Sequence, residues 1–317
     1  MRAAIFQKYG SASELKIQSM EQPHPGPTEV LIKIHASSIN PIDWKLRNGL
    51  FLLRLIFGLI RPRKTILGID FAGEIVELGK AANKFKLQDQ VFGAIPGGAY
   101  AEYVCAEETK IFHKPPFMSF QDASGVPLAG LTALQALRNK GGIRPNHNVL
   151  VYGASGGVGA FAVQLANSFG ANVTGVCSKG NIPLVKSLGA KVVMDRAAMD
   201  HELLESQYDI IFDAAGKASY GEFKKHLKRE GIYITSTPHI KDLLPMVLTL
   251  VGKRKARTLI THLNSQDLAI LSKNIQQGVL RTVIDSIYPL DEIVSAHQYA
   301  EQGHSAGKVI LQITHDE

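Results

Sequence analysis

The run Val149-Leu-Val-Tyr-Gly-Ala-Ser-Gly-Gly-Val-Gly159 constrains the fold of this chain more than any other stretch. Consecutive apolar residues lead into a glycine-rich turn, and an apolar-periodic segment follows through Ala166. The pattern reads as a buried strand, a tight turn and the start of a helix. Such a turn can hold an anion. Glycine lets the backbone approach phosphate oxygens, and the first N–H groups of the helix, which lack intrahelical partners, face the charge. Gly156 and Gly159 have the spacing of the dinucleotide-binding fingerprint, with Ala154 where its first glycine would stand. Taken alone, the turn also fits an ordinary strand–helix junction, so the flanking sequence has to decide.

From Asn148 to about Asn264 the chain alternates strand and helix signals. Strand-like runs are Asn148–Tyr152, Asn172–Cys177, Lys191–Met194, Tyr208–Phe212, Gly231–Thr235 and Arg257–Leu263. Most are apolar at consecutive positions, as expected of strands covered on both faces of a parallel sheet. Helix candidates lie between them at Val158–Ser168, Asn181–Leu188, Asp200–Glu205 and Tyr220–Lys228. Asn181 with Pro183 makes a helix start, and Gly170, Gly189 and Gly231 stand where helices would stop. Right-handed crossovers then give one doubly wound α/β sheet.

The end of the second strand bears on which dinucleotide is held. A carboxylate there would accept hydrogen bonds from an adenosine 2′-hydroxyl and repel a 2′-phosphate. The strand runs Val173-Thr-Gly-Val-Cys-Ser-Lys179 and carries no acid. Ser178 offers a donor and Lys179 a positive charge, which favours NADPH as cofactor. A lone loop lysine is equally compatible with a solvated side chain.

The first third has a different texture. Glu29–His35 alternates along a strand, and Asp70–Leu78 and Ala99–Ala106 also read as strands. Gln22-Pro-His-Pro-Gly-Pro27, Gly68, Gly79 and Pro96-Gly-Gly98 separate them, and strand signals return at Thr282–Pro289 and Gly307–Ile313. The 317 residues leave room for two domains. The expected division is a β-rich domain over 1–122, a dinucleotide-binding domain over 123–264, and a return to the first domain over 265–317. Mean hydropathy is near zero, at +0.02. No apolar core of a signal peptide opens the chain, and no run reaches transmembrane length. Two cysteines, Cys105 and Cys177, exclude a disulfide framework and a cysteine-rich zinc site. These points lead us to expect a soluble cytoplasmic protein. Lys and Arg outnumber Asp and Glu by 35 to 28. That excess suits a polyanionic cofactor and is too diffuse to imply nucleic acid.

Several landmarks follow one another along the chain: Ser38-Ile-Asn-Pro-Ile-Asp-Trp-Lys45, Leu67-Gly-Ile-Asp-Phe-Ala-Gly-Glu-Ile-Val76, Asp89-Gln-Val-Phe-Gly93, Gly98-Ala-Tyr-Ala-Glu-Tyr-Val104, Leu131-Thr-Ala-Leu-Gln135, the glycine turn, and Gly307-Lys-Val-Ile310. In this order they resemble the medium-chain dehydrogenase/reductase superfamily, and within it the zinc-independent quinone oxidoreductase-like group. The resemblance implies a GroES-like catalytic domain made from both termini, a Rossmann cofactor domain, and a homodimer. It also assigns roles. Asn40 would hydrogen-bond substrate or nicotinamide, and Thr132 would lie beside the nicotinamide. Ala154, Ser155, Gly156, Gly157 and Val158 would surround the pyrophosphate. Ala215 and Gly216 would contact the nicotinamide ribose, Ser236 would lie at the same edge, and Lys308 would reach the cofactor. Asp43 fits a structural role in its loop equally well.

Departures from the wider superfamily carry as much information. Zinc-dependent relatives have a cysteine in the loop occupied here by Asn40-Pro41, and a Gly-His-Glu motif where this chain has Gly68-Ile-Asp70. Neither Asn40 nor Ile69 replaces a thiolate or an imidazole on zinc, and His35, His113, His147 and His201 lack ligand spacing. Relatives usually carry a tyrosine after the aspartate of the third strand, where this chain reads Val193-Met-Asp-Arg196. Arg196 would stack on adenine or pair with a 2′-phosphate, and a solvent-facing arginine fits as well.

The expected activity is therefore NADPH-dependent hydride transfer, without metal, to a small hydrophobic quinone or α,β-unsaturated carbonyl. Alternatives are an enoyl-thioester reductase and a non-catalytic NADPH-binding protein acting as sensor or nucleic-acid binder. Two apolar runs, Leu50–Ile60 and Leu243–Val251, are each followed by a basic cluster. They are expected to line a greasy cleft or subunit interface, with weak peripheral membrane contact as the lesser reading. Pro245 should prevent Leu243–Val251 from forming an uninterrupted helix unless it sits in the first turn.

Overall fold

The computed structural model describes residues 1–50, 54–55, 58–63, 65–199, 207–237, 240–249 and 252–314. The chain forms two compact units. One comprises Met1–Leu128, Leu263–Gln276 and Thr282–Glu317; the other comprises Ala129–His262 and Gln277–Arg281.

In the first unit, strands β1 (Arg2–Ile5) and β2 (Lys16–Ser19) form a two-stranded antiparallel ribbon. A seven-stranded sheet is built from β3 (Glu29–Ile39), β4 (Asp70–Leu78), β5 (Gln90–Ala94), β6 (Tyr103–Glu107) and β7 (Ile111–His113). Two late strands, β14 (Ile284–Pro289) and β15 (Lys308–Gln312), complete it. The apolar core sits on this sheet, with Val30, Ile32, Ile34, Phe71, Ile75 and Val91 among its members. Gly68 has φ +88°, and a Cβ there would meet the Tyr100 ring at 2.4 Å. Only glycine combines that backbone with that approach.

The second unit contains β8 (Asn148–Tyr152), β9 (Asn172–Cys177), β10 (Val192–Asp195), β11 (Tyr208–Asp213), β12 (Leu227–Thr235) and β13 (Lys255–Thr258). Their order is β10-β9-β8-β11-β12-β13, and every neighbouring pair is parallel. The order reverses beside β8, so β8 and β11 flank the topological switch point where ligands bind in such sheets. Val149, Leu150 and Val151 are fully buried, which accounts for the unbroken apolar run in the sequence. Helix Gly157–Ser168 follows β8 and buries Phe161, Val163 and Leu165. Burial of each such side chain stabilises the unit by about 1.5–3 kcal/mol.

Strands β14 (Ile284–Pro289) and β15 (Lys308–Gln312) return to the first unit. There β15 pairs antiparallel with β3 and parallel with β14. The last part of the chain thus completes the sheet begun by the first part.

Most expected elements form, with informative differences. The Tyr220–Lys228 helix is reduced to Tyr220–Phe223 and a 3-10 turn, because β12 begins already at Leu227. Gly231 consequently lies inside β12, not at a helix end. The pairing of β12 with β11 shifts register there, and a Cβ on Gly231 would stand 2.8 Å from the Tyr208 carbonyl oxygen. Gly170 and Gly189 do follow helices, with φ +74° and +101°. The strand expected at Arg257–Leu263 is Lys255–Thr258, and the one expected at Ala99–Ala106 is Tyr103–Glu107. Pro245 lies in the second turn of a helix, Ile240–Leu248. Against the expectation the helix continues through this residue to Leu248, with one backbone donor removed by the proline. The helix expected at 200–205, His201, and parts of the apolar runs at 50–60 and 243–251 fall outside the described residues. No helix among the described residues is long and apolar enough to cross a membrane.

Candidate functional site

Each unit carries its own cluster of functional groups. In the second unit the cluster is made largely of backbone at the carboxyl ends of β8, β9 and β11. Gly153 turns the chain with φ +78°, and its N–H and that of Ala154 both donate to the Val176 carbonyl at 2.9 Å. Gly156 caps helix Gly157–Ser168 in an extended conformation. A Cβ on Gly159 would lie 2.1 Å from the Gly153 oxygen, so this glycine sets the close approach of helix and turn. Gly156 differs. An added Cβ there would meet only the Gly153 oxygen, at an ordinary contact distance of 3.5 Å, so this position has room for one. The turn therefore has features a pyrophosphate needs: glycine backbone and the N–H groups of a helix N-terminus.

Two further loops flank the turn. Ala215 lies against Gly153, where an added Cβ would come within 2.6 Å of the Ala215 Cβ, and Gly216 lies against Thr237 in the same way at 2.7 Å. Asp213, fully buried at the end of β11, shapes this loop. Its carboxylate accepts hydrogen bonds from the N–H groups of Gly216 at 2.8 Å, Ala218 at 3.0 Å and Ala215 at 3.2 Å. Tyr233 adds its hydroxyl at 3.2 Å and donates to the Ala218 carbonyl at 2.9 Å. Burial pushes the Asp213 carboxyl above its usual range, and these hydrogen bonds oppose the shift. On the other flank, Asn181 Nδ2 donates to Ser155 Oγ at 3.0 Å and to Ser178 Oγ at 3.1 Å. This ties the glycine turn to the end of β9. Arg196 N–H donates to the Cys177 carbonyl at 2.7 Å, which brings the start of the Arg196 turn beside Ser178 and Lys179. Ser178, Lys179 and Arg196 are all exposed.

In the first unit the cluster is made of side chains. Asn40, at the end of β3, Asp70, at the start of β4, and Lys308, at the start of β15, are each nearly or fully buried. Lys308 Nζ donates to Asn40 Oδ1 at 2.6 Å and stands 3.4 Å from Asp70 Oδ2. Asn40 Nδ2 donates to the same Asp70 oxygen at 2.9 Å, and Ser38 Oγ donates to it at 2.8 Å. The other Asp70 oxygen accepts the Leu128 N–H at 2.8 Å. Asp43 holds Asn40 from the backbone side, accepting its N–H at 2.8 Å, and also accepts the Tyr100 hydroxyl at 2.9 Å. Burial pushes the Asp43 carboxyl up to about 7; the Asn40 and Tyr100 hydrogen bonds oppose this, Asp70 adds to it and Lys308 offsets it. Behind Tyr100, its ring edge-to-face at 5.6 Å, lies His297. His297 Nδ1 is 2.8 Å from Arg47 Nη1, and burial together with that guanidinium holds the imidazole down at about 3. Arg47 is itself fully buried and pairs with Glu301.

Comparison with known proteins puts both clusters in context. The alcohol dehydrogenase GroES-like domain model matches residues 26–116, and the zinc-binding dehydrogenase model matches residues 188–311. The quinone-oxidoreductase QR1 of Triphysaria versicolor is 37% identical, the alignment covering 98% of each chain. The chain belongs to the quinone oxidoreductase-like group of the medium-chain dehydrogenase/reductase superfamily. A 2-methylene-furan-3-one reductase of Solanum lycopersicum is 33% identical over 98% of this chain and 79% of its own length. Among solved structures, the quinone oxidoreductase from Coxiella burnetii is 34% identical with a TM-score of 0.88, covering 99% of both chains. Like its group, the chain is an oxidoreductase, and its fold is the GroES-like and Rossmann combination.

The structure gathers Ala154, Ser155, Gly156, Gly157, Val158, Ser178, Lys179, Arg196, Ala215, Gly216 and Ser236 around the carboxyl ends of β8 to β12 in this oxidoreductase. Thr132, also in the second unit, shares a hydroxyl–hydroxyl hydrogen bond of 2.8 Å with Thr261. Asn40 and Lys308 belong to the first unit and touch each other. Sequence reasoning missed Asp213, Asn181 and the part played by Asp70. An acid closing the apolar run Ile210–Phe212, before Ala-Ala-Gly, was the available signal for Asp213. Nothing local pointed to Asp70 as partner of a lysine 238 residues away.

Proposed function

We propose that this oxidoreductase is an NADPH-dependent, zinc-free reductase of hydrophobic quinones and α,β-unsaturated carbonyl compounds. The observation that carries the reading is the commitment of Asp70 to Lys308 and Asn40. In this position an ammonium group, an amide and one carboxylate stand together, and a soft divalent ion would meet a positive charge and no thiolate or imidazole. A site of that chemistry suits an acceptor electrophilic enough to take hydride without a Lewis acid. Quinones and enones are of this kind, and both kinds of substrate stand in the names of the relatives above.

When bound, the nicotinamide supplies the hydride. The chain's own residues do the rest. The N-terminus of helix Gly157–Ser168 with Gly156 and Gly157 holds the pyrophosphate, and a helix end of this kind favours an anion by about 0.3–1 kcal/mol. Asp213 fixes the Ala215–Gly216 loop for the ribose. Asn40 and Lys308 are held rigid, with the Asn40 amide committed to Asp70, the Ser38 carbonyl and Lys308, so that the remaining N–H of Lys308 can orient a substrate carbonyl without reorganisation. Ser178, Lys179 and Arg196 offer a hydroxyl and two cations to a 2′-phosphate, and β9 ends without an acid. Arg196→Ala should raise the KM for NADPH about tenfold while changing that for NADH little, as loss of a charge-assisted contact would. Equal effects on the two cofactors would sink the assignment.

The decisive experiment measures NADPH and NADH oxidation with a naphthoquinone, 2-cyclohexenone, a long-chain alkenal and a crotonyl thioester, in the presence of EDTA. Turnover of quinone or enone that survives the chelator supports the proposal. Loss of activity on chelation overturns the zinc-free part, and preference for the thioester moves the enzyme to another branch. The reading includes a homodimer, for which light scattering should return twice the chain mass of 34.5 kDa.

A further inference from the structure

Asn181 stands at the N-cap position of helix Ile182–Ser187, yet its side chain makes no capping hydrogen bond. An asparagine in that place ordinarily accepts the N–H of the second or third helical residue. Here the amide serves two serines instead. Its Nδ2 donates to Ser155 Oγ at 3.0 Å and to Ser178 Oγ at 3.1 Å. The two hydroxyls belong to different segments, Ser155 to the glycine turn after β8 and Ser178 to the residue directly after β9. The Asn181 N–H donates to the Ser178 carbonyl at 2.9 Å and so closes the 3-10 turn Lys179–Asn181, which returns the side chain to the strand end.

The direction of these hydrogen bonds decides what the serines can do. A hydroxyl that accepts keeps its own hydrogen to donate. Among the described residues, neither Ser155 nor Ser178 donates that hydrogen to the protein. The nearby backbone acceptors are already engaged: the Val176 carbonyl accepts from Gly153 and Ala154, and the Cys177 carbonyl from Arg196. Asn181 thus leaves two hydroxyl hydrogens for an anion. A carboxylate in its place would draw both of them to itself.

We propose that Asn181 is a positioning residue for NADPH, holding the Ser155 hydroxyl as a donor to the pyrophosphate and the Ser178 hydroxyl as a donor to the 2′-phosphate. The inference rests on the NADPH reading above. Lys179 and Arg196 bring charge, which attracts an anion; the amide brings direction, which fixes where it sits. An asparagine that merely held two loops together would affect NADPH and NADH alike, and its effect would not run through either serine.

The test measures dissociation constants of NADPH and NADH by fluorescence titration in the wild type, Asn181→Ala, Asn181→Asp, Ser155→Ala, Ser178→Ala and the two Asn181→Ala/serine double variants. Each misplaced hydroxyl should cost about threefold in affinity, so Asn181→Ala should weaken NADPH about tenfold and NADH about threefold. Its extra effect on NADPH should vanish in the Ser178→Ala background, and its effect on NADH in the Ser155→Ala background. Asn181→Asp keeps the shape of the side chain and carries the test if the alanine variant folds poorly. It should weaken NADPH more than alanine does, since it reverses both hydrogen bonds and repels the phosphate. Wild-type protein that binds NADH as tightly as NADPH would remove the NADPH reading and this proposal with it. A wild-type preference for NADPH that Asn181→Ala leaves untouched would overturn the proposal alone. So would equal losses for both cofactors that persist in the serine backgrounds, or an Asn181→Asp variant that binds NADPH like the wild type.

Discussion

The second unit builds its cofactor cradle from backbone, whereas the first builds its polar cluster from side chains. Gly153, Gly156 and Gly159 work by having no side chain: one turns the chain, one leaves space, and one lets helix and strand close up. Asn40, Asp70 and Lys308 work only through groups that must find each other across β3, β4 and β15. A backbone device is vulnerable to added atoms and indifferent to charge. A buried side-chain network is vulnerable to the loss of any one charged member, because the others stay buried.

The largest break in this comparison comes from Asp70→Ala. It leaves the Lys308 ammonium nine-tenths or more buried beside an amide, with no hydrogen-bonded carboxylate to balance it. Removal of one partner from a buried pair costs about 3–5 kcal/mol, which urea unfolding would register. Adding Lys308→Met to Asp70→Ala should recover much of that loss, since the unbalanced charge goes with it. If single and double variants are equally unstable, Asp70 and Lys308 are not coupled and the cluster is a set of independent contacts.

A second test acts on the backbone side and should be smaller. Gly159→Ala forces a methyl toward the Gly153 oxygen and should destabilise by about 1–3 kcal/mol, as overpacking does. Gly156→Ala has room and an ordinary φ of −76°, so its melting temperature should stay close to that of the wild type. Its added methyl would stand at the turn proposed to hold the pyrophosphate, so NADPH affinity measured by fluorescence titration should fall about tenfold. Equal stability losses in the two variants would mean that the turn is not the close-packed device inferred from its geometry.

The same contrast explains what could be read in advance. The strands of the second unit were legible because burial on both faces writes itself as consecutive apolar residues, as in Val149–Val151. The glycine turn was legible because its function is local, completed within Gly153–Gly159. Local logic failed where tertiary pairing took over. Lys224–Lys228 continues a helical pattern, yet Leu227 is drawn into β12 by pairing with Tyr208 of β11. In the first unit, membership of Asn40 and Lys308 in a site came from family resemblance, but their partner did not. The Asn40–Lys308 contact spans 268 residues, and no pattern in either segment announces it. Asp43 was legible as a loop-holding residue, though not as a carboxyl buried against Tyr100.

Asp43 gives the finest test of the side-chain cluster, because its proton can be followed. Its usual carboxyl value of 3.8 is raised to about 7 in the folded chain. Between those values the unfolded chain has lost the proton and the folded chain keeps it, so stability falls as pH rises through this window and levels off above about 7. His297 does the reverse. Held at about 3 against an ordinary 6.5, it stays neutral in the folded chain while the unfolded chain takes up a proton, so stability falls as pH drops from 6.5. From about pH 4 to 6.5 the two trends oppose each other in the wild type. Asp43→Asn removes one and leaves the other. The variant should therefore gain stability relative to the wild type by about 1.4 kcal/mol for each pH unit across that window, with the gap constant above about pH 7. Urea unfolding of both proteins across the range would read this directly. Parallel curves would mean that Asp43 titrates as an ordinary carboxyl and that the first unit's cluster is open to water. Divergence as described would establish that it is closed, and that side chains, unlike the second unit's backbone turn, tie this site to pH.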